Sequence, residues 1–309
     1  MILSVSRRTD IPAFYSEWFF NRINEGFVLV RNPMNVHQVS RIKITPELVD
    51  CIVFWTKNAM PMLDRLDELK DYMYYFQYTI NPYDKTIEQR VSEKTPIINS
   101  FKKISDKIGN DRVIWRYDPI LITDVYDVNY HIRYFKEIAQ RIQSYTNTCV
   151  ISFVDLYKKT IRNLKGIEVR EPNVSEMIEL SSKLLQIAQS YGMKIQTCSE
   201  AIDLDRLGIP HGKCIDEKLI EHLIGWPLDV SKDKNQRKEC GCVQSIDIGE
   251  YNTCDHNCLY CYANFNREKV VFKRKKHDPL SPMIIGNVES DDKITDRKVY
   301  SLKGDKTLF

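Results

Sequence analysis

The 309 residues contain no apolar run as long as a membrane span, which excludes a helix buried in lipid. The opening MILSVSRRTD has neither the apolar core nor the small-residue cleavage site of a secretory signal. Charge of either sign is not in excess. The 45 Lys and Arg against 42 Asp and Glu leave a net +3, so no global field calls for nucleic acid or an anionic membrane. No G-x-G-x-x-G turn follows any candidate strand, which removes the usual dinucleotide fingerprint. Internal repeats and low-complexity tracts are also lacking. Without a secretory signal, the nine cysteines do not read as a disulfide framework. They point to metal ligation in a reducing cytoplasm, with no membrane partner.

What is present is an alternation of short β-branched and aromatic runs with amphipathic stretches. Strands are expected at Ile2–Ser6, Ile52–Thr56, Tyr75–Ile80, Val113–Tyr117, Cys149–Asp155, Lys194–Cys198 and Ser245–Gly249. Val28–Asn32 reads as an extra strand or hairpin arm. Most of these runs are almost wholly apolar, as parallel strands buried on both faces are. Between them, Ile132, Phe135, Ile138, Ala139 and Ile142 share one helical face. Asn173 and Gly192 are placed to cap and to end a further helix. Seven βα-like units in series predict an α/β fold, a full or partial (β/α) TIM-like barrel over residues 1–278. It includes a cysteine-rich segment, 198–262, and is followed by a C-terminal tail, 279–309, expected to cover the barrel mouth. A doubly wound sheet is the alternative.

Near its end the chain reads CDHNCLYCYAN, which spaces Cys254, Cys258 and Cys261 as Cys-x3-Cys-x2-Cys. Three thiolates this close in sequence can converge on one metal centre. A 4Fe–4S cluster usually takes four cysteines, so three leave one iron open to a small chelating ligand. Structural zinc prefers four ligands, commonly two Cys pairs. No His-x3–5-His follows here, and His256 reads as a loop residue. Four further cysteines, Cys198, Cys214, Cys240 and Cys242, lie between the sixth and seventh strands. They suffice for a closed centre, either a second 4Fe–4S cluster or four-thiolate zinc, though they also read as unconnected thiols. The glycine between Cys240 and Cys242 lets both thiolates face one side. Cys51 and Cys149 begin apolar strands and read as buried core residues.

Polar residues gather where strands end: Arg7, Arg8, Thr9 and Asp10; Lys57 and Asn58; Thr79 and Asn81; Arg116 and Asp118; Ser152 and Asp155; Thr197 and Glu200. In a barrel these ends form one face, where catalytic groups collect. A charged loop with Lys232, Lys234, Arg237 and Lys238 leads to Cys240, and a basic run spans Lys273–Asp278. The first could contact phosphate or carboxylate groups and the second nucleic acid, although such runs are usually solvated.

The cysteine triplet, with Tyr260 before its third member, closely resembles the loop of radical S-adenosylmethionine enzymes. That resemblance implies an open iron holding the methionine amine and carboxylate, and a reduced cluster that splits the sulfonium to a 5′-deoxyadenosyl radical. In those enzymes the loop follows the first barrel strand, whereas here it follows the last. A circular permutation reconciles the two, because the first and last strands of a closed barrel are neighbours. SRRTDIPAFY, VRNP, VFWTKN, WRYDPI, ISFVD, CSE, GKCID and CGCVQSIDIG resemble, over nearly the whole chain, an uncharacterised bacterial and archaeal family known only as a domain of unknown function. WRYDPI and FWTKN distantly resemble the spore photoproduct lyase branch, which repairs a thymine lesion in DNA. Position and resemblance together nominate Arg116, Asp118 and Lys57 as catalytic. They nominate Tyr260, Tyr262, Arg8, Asp10, Ser152 and Asp155 as contacts for S-adenosylmethionine or the cluster. They also imply an electron donor such as a flavodoxin or ferredoxin, and an unknown substrate. A non-catalytic iron–sulfur or zinc module and a nucleic-acid repair lyase stay as alternatives, with nucleic acid the less favoured partner.

Overall fold

The computed structural model of the chain describes residues 1–305. In order, β1 (Ile2–Val5) leads to α1 (Ile11–Phe14), α2 (Ser16–Glu25), β2 (Phe27–Asn32) and β3 (Asn35–Lys43). β4 (Cys51–Thr56), a 3-10 segment at Met60–Leu69 and β5 (Tyr74–Thr79) precede α3 (Lys94–Ile108) and β6 (Val113–Ile120). Next come α4 (Val128–Ile142), β7 (Thr148–Phe153), α5 (Lys158–Asn163), α6 (Val174–Ser190) and β8 (Lys194–Cys198). The last third holds β9 (His211–Gly212), α7 (Glu217–Ile224), β10 (Ile246–Asp247), α8 (Arg267–Arg274) and β11 (Lys293–Asp296).

Eight strands form one sheet in the order β10-β1-β4-β5-β6-β7-β8-β9, with every pairing parallel. The order never reverses, so the sheet lacks the switch point of a doubly wound fold. β9 and β10 are its edges, and among the described residues no pairing joins them. The architecture is α/β, a large parallel sheet flanked by helices. Of the full or partial barrel expected from the sequence, closure is not shown among the described residues, where the two edge strands pair over only two residues each, and the open parallel sheet is compatible with the partial form. Most of the expected strands are present within a few residues of their forecast ends, but the seventh is cut to Ile246–Asp247.

Alternation along the strands divides the core. Leu3, Val5, Ile52, Phe54, Phe76, Trp115 and Ile151 join the helices in the larger cluster. Ile2, Val53, Tyr75, Ile114 and Val150 face the other way, onto Cys214, Ile215, Ile220 and Val243 of the segment between β8 and β10. Period two therefore gives each strand one helix-facing side and one side facing the chain's own cysteine-rich segment. Helix α4 buries Phe135, Ile138, Ala139 and Ile142 as its pattern predicts, and Phe135 stacks on Trp115 at 4.6 Å between centroids. Asn173 and Glu176 make a reciprocal capping box on α6, and Gly192 follows its end at φ 72°.

Among the described residues, the tail does not cover the mouth. Trp18 Nε1 donates to Ser281 O at 2.9 Å, β11 pairs with β3, and Leu302 N donates to Asp50 Oδ2 at 2.7 Å. Asp50 also binds the Met1 ammonium at 2.6 Å, so the tail clasps the N-terminal ends of the strands. Over the opposite ends lies the turn of the β2–β3 hairpin, where Met34 is 92% exposed.

Candidate active site

A cavity of about 1040 Å³ opens at the C-terminal ends of the strands. All seven cysteines of the two groups line it: Cys198, Cys214, Cys240, Cys242, Cys254, Cys258 and Cys261. So do Arg116, Asp118, Lys57, Tyr260, Tyr262, Arg8, Asp10, Ser152 and Asp155. Cys51 and Cys149 stay buried in the sheet, away from it. The pairing of β10 with β1 explains the convergence, because it sets the loop after β10 beside Arg7–Asp10.

The triplet loop is held from several sides. Asn252 and Asn257 take left-handed φ values of 57° and 51°, which asparagine tolerates better than most residues. Asn252 Oδ1 accepts from Phe265 N at 2.9 Å, and Asn264 Nδ2 donates to Cys254 O at 2.6 Å. Leu259 N donates to Ile87 O at 3.0 Å, zipping the loop to the segment after β5. Asp255 pairs with Arg90, Arg267 and Arg274. Burial alone would raise its carboxyl pKa, but these guanidinium groups hold it below the usual range.

Behind the triplet sits Glu88, 1% exposed. Its carboxylate accepts from Lys57 Nζ at 2.8 Å, Lys94 Nζ at 2.5 Å and the Tyr260 hydroxyl at 2.5 Å. Burial opposes its ionisation, yet Lys57 and Lys94 together bring its pKa down to about 2. Burial likewise opposes the Lys57 ammonium, and Glu88 and Cys258 outweigh it and raise the pKa. Asp10 accepts from Lys57 N at 2.7 Å and from His256 Nε2 at 2.8 Å. Hence His256 is a loop residue with one nitrogen fixed, as its position suggested, while its Nδ1 is buried without a partner.

The second group is a row. Cys198 and Cys214 Sγ are 3.0 Å apart, and Cys242 Sγ accepts from Cys214 N at 3.3 Å and Ile215 N at 3.4 Å. Arg116 Nη1 reaches Cys214 Sγ at 2.9 Å, while its Nε donates to Asp118 Oδ2 at 2.8 Å. Asn81 fixes Asp118 by accepting from its N–H at 2.8 Å. Tyr75 and Gln77 donate to Cys214 O at 2.7 and 3.0 Å. A Cβ on Gly212 would lie 2.4 Å from Gln196 Cδ, so any other residue here would require the Gln196 side chain to move aside. Cys240, assisted by Cys242, has its pKa lowered to about 7; contact with Cys214 and burial raise that of Cys198 well above the thiol range.

Thiols suit either an iron–sulfur cluster or zinc, and Cys198 and Cys214, 3.0 Å apart, are closer together than the ligands of either need to be. Tetrahedral zinc with 2.3 Å bonds to sulfur needs thiolates about 3.8 Å apart. Among the described residues no three of these cysteine sulfurs lie within 4.8 Å of one another. An iron–sulfur cluster spreads its ligands over separate irons and takes wider spacings. Burial raises the pKa of Cys254, Cys258 (to about 12) and Cys261, and a metal centre is what would favour their thiolates. Arg7 Nη2, Thr9 Oγ1, Ser199 Oγ and His256 Nδ1, all on cavity-lining residues, are buried without partners. The compact trio His37, Asp291 and Asp292 is elsewhere, at the hairpin, with Asp292 bound by Arg31.

Some of the expected residues are already paired or partly exposed. Asp155 pairs with Arg237, and Tyr262 is half exposed, its hydroxyl donating to Arg7 O at 3.0 Å. Asn58 caps the following turn, and Glu200 accepts from Phe153 N at 2.8 Å. Burial raises the Glu200 carboxyl pKa to about 8. Glu88 and Trp55 were not singled out by sequence; both lie within strands or loops whose relation to the cysteines only the fold creates.

The family model described as "Domain of unknown function (DUF1848)" matches residues 2–263. No curated protein matches the chain. A crystal structure from Bacteroides thetaiotaomicron, provisionally named an alpha-L-fucosidase, aligns at 13% identity over 73% of this chain and 83% of that one. Its TM-score of 0.26 is too low to bear on fold or activity.

Proposed function

The chain belongs to this family of unknown function, and from that premise we propose that it is a radical S-adenosylmethionine enzyme. The observation that carries the proposal is that both cysteine groups and the strand-end polar residues open on one cavity. Cys254, Cys258 and Cys261 would hold a 4Fe–4S cluster with one open iron, and Cys198, Cys214, Cys240 and Cys242 a second, closed centre. When bound, the open cluster supplies the electron that cleaves S-adenosylmethionine to methionine and a 5′-deoxyadenosyl radical. The strand order supports reading the sheet as a partial barrel, with its cysteine loop brought beside β1 by permuted connectivity.

The chain's own residues bind, orient and exclude water. Lys57, fixed by Glu88, keeps positive charge beside Cys258. Tyr260, bound to Glu88 and Asn81, walls the triplet. Arg116, neutralised by Asp118, sets a guanidinium against Cys214. Trp55, Phe153 and Tyr157 line the remainder and limit water at the reacting groups. A flavodoxin or ferredoxin as electron donor belongs to the same proposal.

The test is anaerobic reconstitution with iron and sulfide, followed by dithionite and S-adenosylmethionine. We expect 5′-deoxyadenosine from the native chain and none from Cys258→Ala, which should keep part of its iron. Cys240→Ala should lose iron and still form the nucleoside. No nucleoside from fully loaded native protein, or undiminished formation by Cys258→Ala, contradicts the proposal.

A further inference from the structure

We infer that Arg7 is the anchor for an anionic group, carboxylate or phosphate, on a substrate bound between the two cysteine groups. The Arg7 guanidinium lies over the Trp55 ring, 5.3 Å from its centroid. Its Nη2 is buried without a partner. Other cations of the cavity are paired, Lys57 with Glu88, Arg116 with Asp118 and Arg237 with Asp155, or, like Lys158 and Lys159, lie exposed at its edge. Arg7 has no carboxylate within ion-pair distance among the described residues. Burying an unpaired charge is costly, so such a group is a vacancy for an anion.

With the guanidinium over Trp55 and Nη2 unpartnered, its planar fork of donors suits recognition of a carboxylate or phosphate. The charges of Cys242 and Cys214 bear on the Arg7 guanidinium, while its carbonyl oxygen accepts from the hydroxyl of Tyr262, next to Cys261, at 3.0 Å. Arg7 therefore stands between the two cysteine groups. Thr9 Oγ1 and Ser199 Oγ, also unpartnered, add polar contacts, and Trp55, Phe153 and Tyr157 offer walls for an apolar body. The ligand class is a small organic anion with an apolar, planar part. Calling that anion the substrate rests on the radical-enzyme reading, whereas the anion site itself does not.

Calorimetric titration of the reconstituted protein with benzoate, phenyl phosphate and uncharged benzamide tests the assignment. One site is expected for benzoate or phenyl phosphate, the tighter of the two identifying the anion, with benzamide at least tenfold weaker. Arg7→Gln should lose at least tenfold in anion affinity with unchanged iron content, and Arg7→Lys should recover part of it. Thermal melting checks that both variants fold. The inference is overturned if neither anion binds, if benzamide binds equally well, or if Arg7→Gln binds anions normally. Iron loss in Arg7→Gln with normal anion binding assigns Arg7 to the metal centre and also overturns it. Anion binding without 5′-deoxyadenosine formation would sink the radical reading alone; the converse would sink only this one.

Discussion

At the scale of single residues, the site was legible where its chemistry is local. Cys254, Cys258 and Cys261 announce themselves because the proposed ligands of one centre are close in sequence. Glu88 does not, since its partner Tyr260 is 172 residues away and only the fold brings them together. Yet Glu88 orders this corner, holding two ammonium groups and a hydroxyl inside the protein. Glu88→Gln removes the charge and leaves Lys57 and Lys94 without their counterion. The expected loss is about 3–5 kcal/mol of unfolding free energy, as for breaking other buried pairs. Urea denaturation at pH 7 measures it, and a loss below about 1 kcal/mol would show that water replaces the carboxylate there.

Among elements, periodicity and capping made α4 and α6 readable, because a buried stripe and an Asn cap depend on neighbours in sequence. β9 and β10 were beyond such reasoning; two residues carry no alternation. The tail was misjudged for a similar reason, since its partners Trp18, β3 and Asp50 are set by tertiary packing. The contact of α4 with β6 supplies a pH prediction. His131 is fully buried, with Nδ1 against the Tyr117 hydroxyl and Nε2 against Leu121 O, each at 2.8 Å. Burial lowers its pKa to about 4. On acidification the unfolded chain takes this proton first, at about 6.5, and the folded chain only near 4. Stability is therefore full above pH 6.5 and falls as pH drops toward 4. From this residue alone the loss between pH 7 and 5 is about 2 kcal/mol. Chemical denaturation across that range should show the decline in the native chain and a flatter profile in His131→Phe. Equal slopes would assign the decline to other groups.

For the whole molecule, the sequence conveyed a parallel α/β fold and the face where functional groups meet. Closure was not legible, because it depends on how two very short edge strands lie relative to each other. The pairing of β10 with β1 sets the cysteine loop beside the first strand, a neighbourhood that the chain order conceals. The central claim is that two cysteine groups in one cavity hold distinct centres and that only the triplet leaves an iron open. Electron paramagnetic resonance of the dithionite-reduced, reconstituted protein, recorded with and without S-adenosylmethionine, addresses this directly. About eight irons per chain are expected from two four-iron clusters, with one signal shifted by S-adenosylmethionine in the native chain and in Cys240→Ala, and absent from Cys258→Ala. A spectrum indifferent to S-adenosylmethionine in protein carrying that iron would contradict the account.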